Sequence, residues 1–202
     1  MTAEPRRATT AELDDVVRLF AEAFAADPMI TWPLPPGAPR DDVVSLFSII
    51  VHEAYGPMNA VWVVGDERVD GAAVWLPPDQ VSRFEEVEAA TRPKIATLTD
   101  DGGVRYAMFW DWLGGHLPGE PCWFLDILGV QRAARGRGIA SALVRHGLER
   151  AHTAGVGAFL ETGNPNNVPM YEHLGFRVVE HSDAPGGGPT IWFLRADPSD
   201  AG

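Results

Sequence analysis

The chain has 202 residues, 46% of them apolar, one cysteine and a formal net charge of −12, which suits a single domain with a sizeable core. The acidic balance argues against nucleic acid and anionic membrane surfaces as partners, since both need a basic face, and it suits a cationic partner such as an amine. Cys122 alone cannot form an intramolecular disulfide, the stretch Thr2 to Thr10 is too polar for a signal peptide, and no apolar run reaches the ~18 residues of a membrane span; a cytoplasmic protein is expected.

Thr9-Thr10-Ala11-Glu12 reads as a capping box. It opens a helix with Leu13, Val16, Val17, Phe20 and Phe24 on one face, ending near Asp27-Pro28. Residues 28–39 form a proline-rich loop carrying Met29 and Trp32, and Asp41 to Tyr55 reads as a second helix. Residues 60–65 and 71–76 predict a β-hairpin, with room for one more strand at 5–9. Residues 79–115 are helical with a break near 100–103, and the second piece carries Tyr106, Phe109, Trp110 and Trp112.

From Trp123 to Val130 the chain is apolar apart from Asp126 and Gly129, the pattern of a buried central strand. Gly129 there signals a bulge or a close approach, with plain packing as the simpler reading. A loop rich in Arg and Gly then opens a helix over 136–153. Ile139, Leu143, Gly147 and Ala151 make one edge of its apolar stripe, and Ala140, Val144 and Leu148 make the other. Strand, glycine loop and helix together form an anion cradle, because the loop and first-turn amides converge where the helix dipole is positive. Gly136 and Gly138 leave room for a bulky anion, and Arg135 and Arg137 add charge. The spacing is neither a dinucleotide fingerprint nor a Walker loop. A strand at 158–162, a loop and short helix over 164–174 closed by Gly175, and strands at 176–180 and 190–194 complete the chain, with the tail after Asp197 expected to fray. This order predicts an α/β (α+β) domain over residues 1–202, a mixed twisted sheet of six or seven strands flanked by helices.

Arg135-Gly136-Arg137-Gly138-Ile139-Ala140 resembles the acyl-CoA-binding signature of the GNAT N-acyltransferase superfamily. Phe159-Leu160-Glu161-Thr162, and Asn164 followed by Tyr171-Glu172-His173-Leu174-Gly175-Phe176, fall in register with it. Within the superfamily, Pro121 to Leu125, Gly155 to Thr162 and Pro169 to Phe176 are similar to puromycin N-acetyltransferase-like bacterial enzymes, whereas residues 28–60 and 100–115 differ. The resemblance implies the GNAT fold, with the cofactor-binding part at 121–182, and acetyl-CoA as co-substrate. It implies a small-molecule amine as acceptor, an antibiotic such as a puromycin-like aminonucleoside among the candidates. A CoA-binding module without turnover and a protein N-terminal or lysine acetyltransferase stay open as alternatives, as does a homodimer.

Carried over residue by residue, the resemblance assigns the pyrophosphate to Arg135, Gly136, Arg137, Gly138, Ile139, Ala140 and Ser141. It assigns the pantetheine to the backbone of Leu128, Gly129 and Val130, with the Val130 amide polarising the thioester carbonyl. Tyr171 becomes the general acid toward the thiolate, a phenol near pKa 10 suiting a thiol leaving group, or else a tyrosine that merely covers the sheet. Asn164 and Asn167 bind the CoA arm or cap the short helix. Direct attack by an amine also needs a base. Glu161 ends an apolar strand and Asp126 interrupts another; either takes the proton or holds the ammonium, unless it is a buried partner of an arginine. Trp32, Tyr106 and Trp110, with Asp126, are the candidate acceptor residues. The six histidines show no metal-ligand spacing, and no metal is expected.

Overall fold

The structure, a computed structural model, describes residues 4–198. Seven strands form one mixed sheet: β1 (Arg6–Arg7), β2 (Val61–Val64), β3 (Gly71–Leu76), β4 (Cys122–Val130), β5 (Gly157–Thr162), β6 (Arg177–Asp183) and β7 (Thr190–Ala196). Their order is β1-β2-β3-β4-β5-β7-β6. Only β4 and β5 pair in parallel; every other neighbour is antiparallel. The helices are α1 (Leu13–Ala23), α2 (Pro28–Thr31), α3 (Arg40–Ile50), α4 (Val81–Ile95), α5 (Val104–Gly114), α6 (Ile139–Thr153) and α7 (Val168–His173).

Both faces of the sheet are covered. On one, Phe20 of α1, Phe47 of α3 and Phe109 of α5 pack toward Val74, Phe159 and Phe193. On the other, Leu143 and Val144 of α6 and Tyr171 of α7 pack toward Trp75, Leu125 and Leu160. The buried stripe of α6, including Ile139, Leu143, Gly147 and Ala151, follows the predicted periodicity. Its fit to β3 is tight: Trp75 Nε1 donates to Leu143 O at 3.1 Å, and a Cβ on Gly147 would lie 2.0 Å from the Trp75 ring.

Three expectations change. The capping box forms, Thr9 N donating to Glu12 Oε2 at 2.8 Å, but it opens a 3-10 turn ahead of α1. The second helix is not uniform; α3 gives way to a π-helical turn, Val51–Tyr55. The bulge of β4 is not at Gly129 but at Asp126. Val74 pairs with Ile127 and Trp75 with Leu125, so Asp126 is the extra residue. Gly129 answers to packing, since a Cβ there would lie 2.7 Å from Leu19 Cδ2 and 3.0 Å from Phe20 Cδ1 of α1. Of the tail after Asp197 expected to fray, residues 199–202 lie outside the described residues.

Candidate active site

The parallel ladder between β4 and β5 runs from Cys122 opposite Gly157 to Leu125 opposite Leu160 and stops there. Beyond that point the strands part. β4 continues to Val130 paired only with β3, and β5 continues to Thr162 paired only with β7. Leu128, Gly129 and Val130 therefore present a strand edge to the gap, where backbone donors and acceptors are available to an extended ligand.

At the end of that edge the exposed loop Arg135 to Gly138 turns into α6. Gly136 and Gly138 have φ of 74° and 78°, a left-handed conformation that side chains disfavour. Gly138 occupies the N-cap and offers no side-chain cap. The first-turn amides of Ile139, Ala140 and Ser141 lack intrahelical acceptors by virtue of position. Arg137 reaches Asp70 at 3.3 Å, which anchors its guanidinium beside the loop. The amides and the helix dipole thus meet at one exposed spot beside Arg137, a good fit for a diphosphate.

Inside the gap lies a cavity of about 90 Å³ lined by Asp126 and Leu128 of β4, Glu161 and Thr162 of β5, and Tyr171 of α7. Among the described residues, four carboxylates line it, from Asp27, Glu88, Asp126 and Glu161, and no basic side chain does. Glu161 is 8% exposed, the one fully buried charged side chain among the described residues. Its Oε2 has no hydrogen-bond partner. Burial first and the neighbouring Asp126 second push its carboxyl well above the usual range.

The bulge turns Asp126 toward Tyr55, whose hydroxyl donates to Asp126 Oδ2. Burial raises Asp126 to about 6 against the pull of that hydrogen bond. Its partner is thus a phenol, not the arginine that sequence reasoning allowed. Tyr55 stacks on Phe84 of α4, ring centroids 5.5 Å apart, and burial together with Asp126 drives its phenol far up, so it stays a donor.

Tyr171 is 6% exposed. Burial, then Glu161 and Asp27, lift its phenol well above its ordinary value. The phenol is therefore held in its protonated form, with a proton available to give. Asn164 is occupied as a cap, accepting from Asn166 N at 3.1 Å. Asn167 lines the cavity.

Of the predicted acceptor residues, Tyr106, Trp110 and Asp126 line the cavity and Trp32 does not. Trp32 packs 6.0 Å from the Phe109 ring, because the proline-rich loop carries it to the α5 side. Sequence reasoning missed Asp27, Tyr55 and Glu88. Asp27 shows only as a helix cap, accepting from Met29 N at 2.9 Å, and the other two lie in stretches whose sequence reads as plain helix, although Tyr55 ends a π-helical turn. Among the described residues, no group of three or more His, Cys, Asp or Glu side chains is arranged to hold a metal ion.

A mixed sheet whose central parallel pair parts beside a glycine loop opening a helix is an acetyltransferase architecture. The chain superimposes on the crystal structure of histone acetyltransferase HPA2 and related acetyltransferase from Corynebacterium glutamicum with a TM-score of 0.75 at 24% identity, covering 98% of both chains, a likeness of fold. The model of the acetyltransferase (GNAT) family matches residues 69–176, over half the chain, and the chain belongs to that family. It is 32% identical over 110 residues to mycothiol acetyltransferase of Mycobacteroides abscessus, covering 52% of this chain and 36% of that protein. It is 47% identical over 57 residues to mycothiol acetyltransferase of Corynebacterium glutamicum, covering 27% of this chain and 20% of that protein. The matches therefore span little more than a third of these relatives' length at most.

Proposed function

We propose that the protein transfers the acetyl group of acetyl-CoA, the donor of its family, to the primary amine of a small molecule in a ternary complex. The observation that carries this reading is the enclosed, carboxylate-lined cavity at the point where β4 and β5 part. It attracts an ammonium, and its raised carboxylates can take a proton near neutral pH.

The chain's own groups divide the work. Ile139, Ala140 and Ser141 amides, with Gly136, Gly138, Arg135 and Arg137, hold the diphosphate. The edge of Leu128 to Val130 aligns the pantetheine, and the Val130 amide polarises the thioester carbonyl. Asp126 and Glu161 act as one coupled base. They hold the ammonium, accept its proton and free the nitrogen lone pair. The C–N bond forms at the carbonyl carbon and the C–S bond breaks as the adduct collapses; Tyr171 gives its phenolic proton to the departing sulfur and recovers one from the nitrogen, so the products are the amide and the free CoA thiol.

The roof that α4 and α5 place over the cavity favours a small acceptor over a folded protein. We place the enzyme in the cytoplasm, consistent with one cysteine and with no helix among the described residues long and apolar enough to cross a membrane. The test is steady-state turnover with acetyl-CoA and a panel of amines that includes a puromycin-like aminonucleoside and a glucosamine-type amino sugar. No N-acetylated product from any amine, with acetyl-CoA bound, would leave a CoA-binding module in its place.

A further inference from the structure

β3 and β4 are antiparallel neighbours, for which a two-residue turn suffices, yet residues 77–121 separate them. That insertion folds into α4 and α5. Arg92 Nε meets Glu88 at 2.9 Å and Arg92 Nη2 meets Asp111 at 2.7 Å, so one guanidinium joins the two helices. Between them and the sheet lies a second chamber of about 580 Å³, lined by buried Leu76 and Phe124 of the sheet and buried Leu113 of α5. Its volume is in the range of small-molecule sites, whereas the inner cavity of about 90 Å³ has room for a short alkylamine but not for a bulky acceptor.

The two spaces share Phe84, Glu88, Trp110 and Asp126 as common wall. An amine placed at Asp126 therefore has its remaining atoms directed at the outer chamber. Among the described residues, seven carboxylates line the two spaces; Glu88 and Asp111 pair with Arg92 and Glu120 with Arg195, while Asp27, Glu85, Asp126 and Glu161 have no cationic partner. An acceptor body carrying a carboxylate or phosphate meets repulsion there, and an apolar or cationic body does not.

Resting on the amine-transfer reading above, we propose that the chamber under α4 and α5 is the acceptor's second subsite, and that the substrate class is amphipathic primary amines with an extended apolar body free of anionic groups. The body displaces water from the apolar lining while the ammonium sits at Asp126. The subsite belongs to the insertion, so it sets specificity without touching the reacting atoms.

The experiment compares kcat/KM for propylamine, phenylbutylamine and phenylbutylamine with a carboxylate at the far end of its phenyl ring. It uses the wild type and Ala89→Phe, whose site is exposed on α4 and lines the outer chamber; thermal melting checks the variant's fold. Burial of the phenyl body predicts a preference of about tenfold or more for phenylbutylamine over propylamine. The carboxylated compound should be the poorest of the three, and Ala89→Phe should cut the phenylbutylamine preference by most of that factor. Equal kcat/KM for the first two amines, or a preference untouched by Ala89→Phe, overturns the subsite and leaves amine transfer standing. Failure to acetylate any of them while acetyl-CoA binds overturns both.

Discussion

The phenol of Tyr55 donates to the carboxylate of Asp126, and each residue sits at a backbone irregularity, a π-helical turn after α3 and a bulge in β4. A regular α-helix or an unbulged strand would aim both side chains elsewhere. Such irregularities often mark functional sites. Here they set one member of a carboxylate pair, and its hydrogen bond holds Asp126 lower than burial alone would.

Tyr55→Phe removes that hydrogen bond and should raise the Asp126 titration. Because the base must be ionised, the acid limb of the kcat/KM profile moves to higher pH, and activity near pH 7 falls roughly tenfold. A pH–rate profile in saturating acetyl-CoA reads this; an unmoved limb would make Tyr55 purely structural.

Asp126→Asn should act oppositely on Glu161, whose carboxyl is raised in part by the Asp126 charge. Glu161 then ionises at lower pH and the acid limb moves down, although the rate at the plateau drops. Stability follows the same logic. Asp126 goes from an ordinary 3.8 to about 6 on folding. The folded state therefore binds that proton more tightly, and the stabilisation is present below the ordinary value and lost as pH rises through about 6. Melting temperature measured against pH should accordingly fall less steeply over this window in Asp126→Asn than in the wild type.

Gly138→Ala should weaken acetyl-CoA binding about tenfold, because a left-handed backbone costs an L-residue roughly 1–2 kcal/mol and the loop can relieve it by moving its amides. Calorimetry with acetyl-CoA reads the effect directly, while KM for the amine stays near the wild-type value. A Cβ at this position meets nothing within 4 Å in the protein, so no internal clash would confuse the result.

Tyr171→Phe should lower kcat by about 10–100-fold with little change in acetyl-CoA affinity, since its hydroxyl acts on charge that develops at sulfur. A parallel loss of affinity and kcat would point to a packing role against Phe176, whose ring lies 6.0 Å away.

What the sequence disclosed, and what it hid, follows from the range of the forces involved. The α6 stripe and Gly175 at the end of α7 are local patterns, and both are legible from spacing. The oddity of Asp126 was also visible, as a carboxylate in an apolar run. Its cause was not: the bulge depends on register against Trp75, far away in sequence. At Gly129 the sequence left a bulge, a close approach and plain packing open, because a glycine in a strand answers equally to backbone geometry and to a helix pressing on it; the helix, through Leu19 and Phe20, is what it answers to. Tyr55 and Glu88 lie in helical stretches with ordinary periodicity, and only tertiary packing turns them toward the cavity. Trp32 shows the converse, an aromatic in a plausible loop that folding carries to Phe109 instead.

The most direct measurement is simultaneous quantification of CoA thiol and N-acetylated amine during turnover of acetyl-CoA, for the wild type and Glu161→Gln. The two products should appear one for one in the wild type. Glu161→Gln should suppress both by about a hundredfold or more while acetyl-CoA affinity is kept. Thiol released without acetylated amine, or full turnover in Glu161→Gln, would contradict this mechanism.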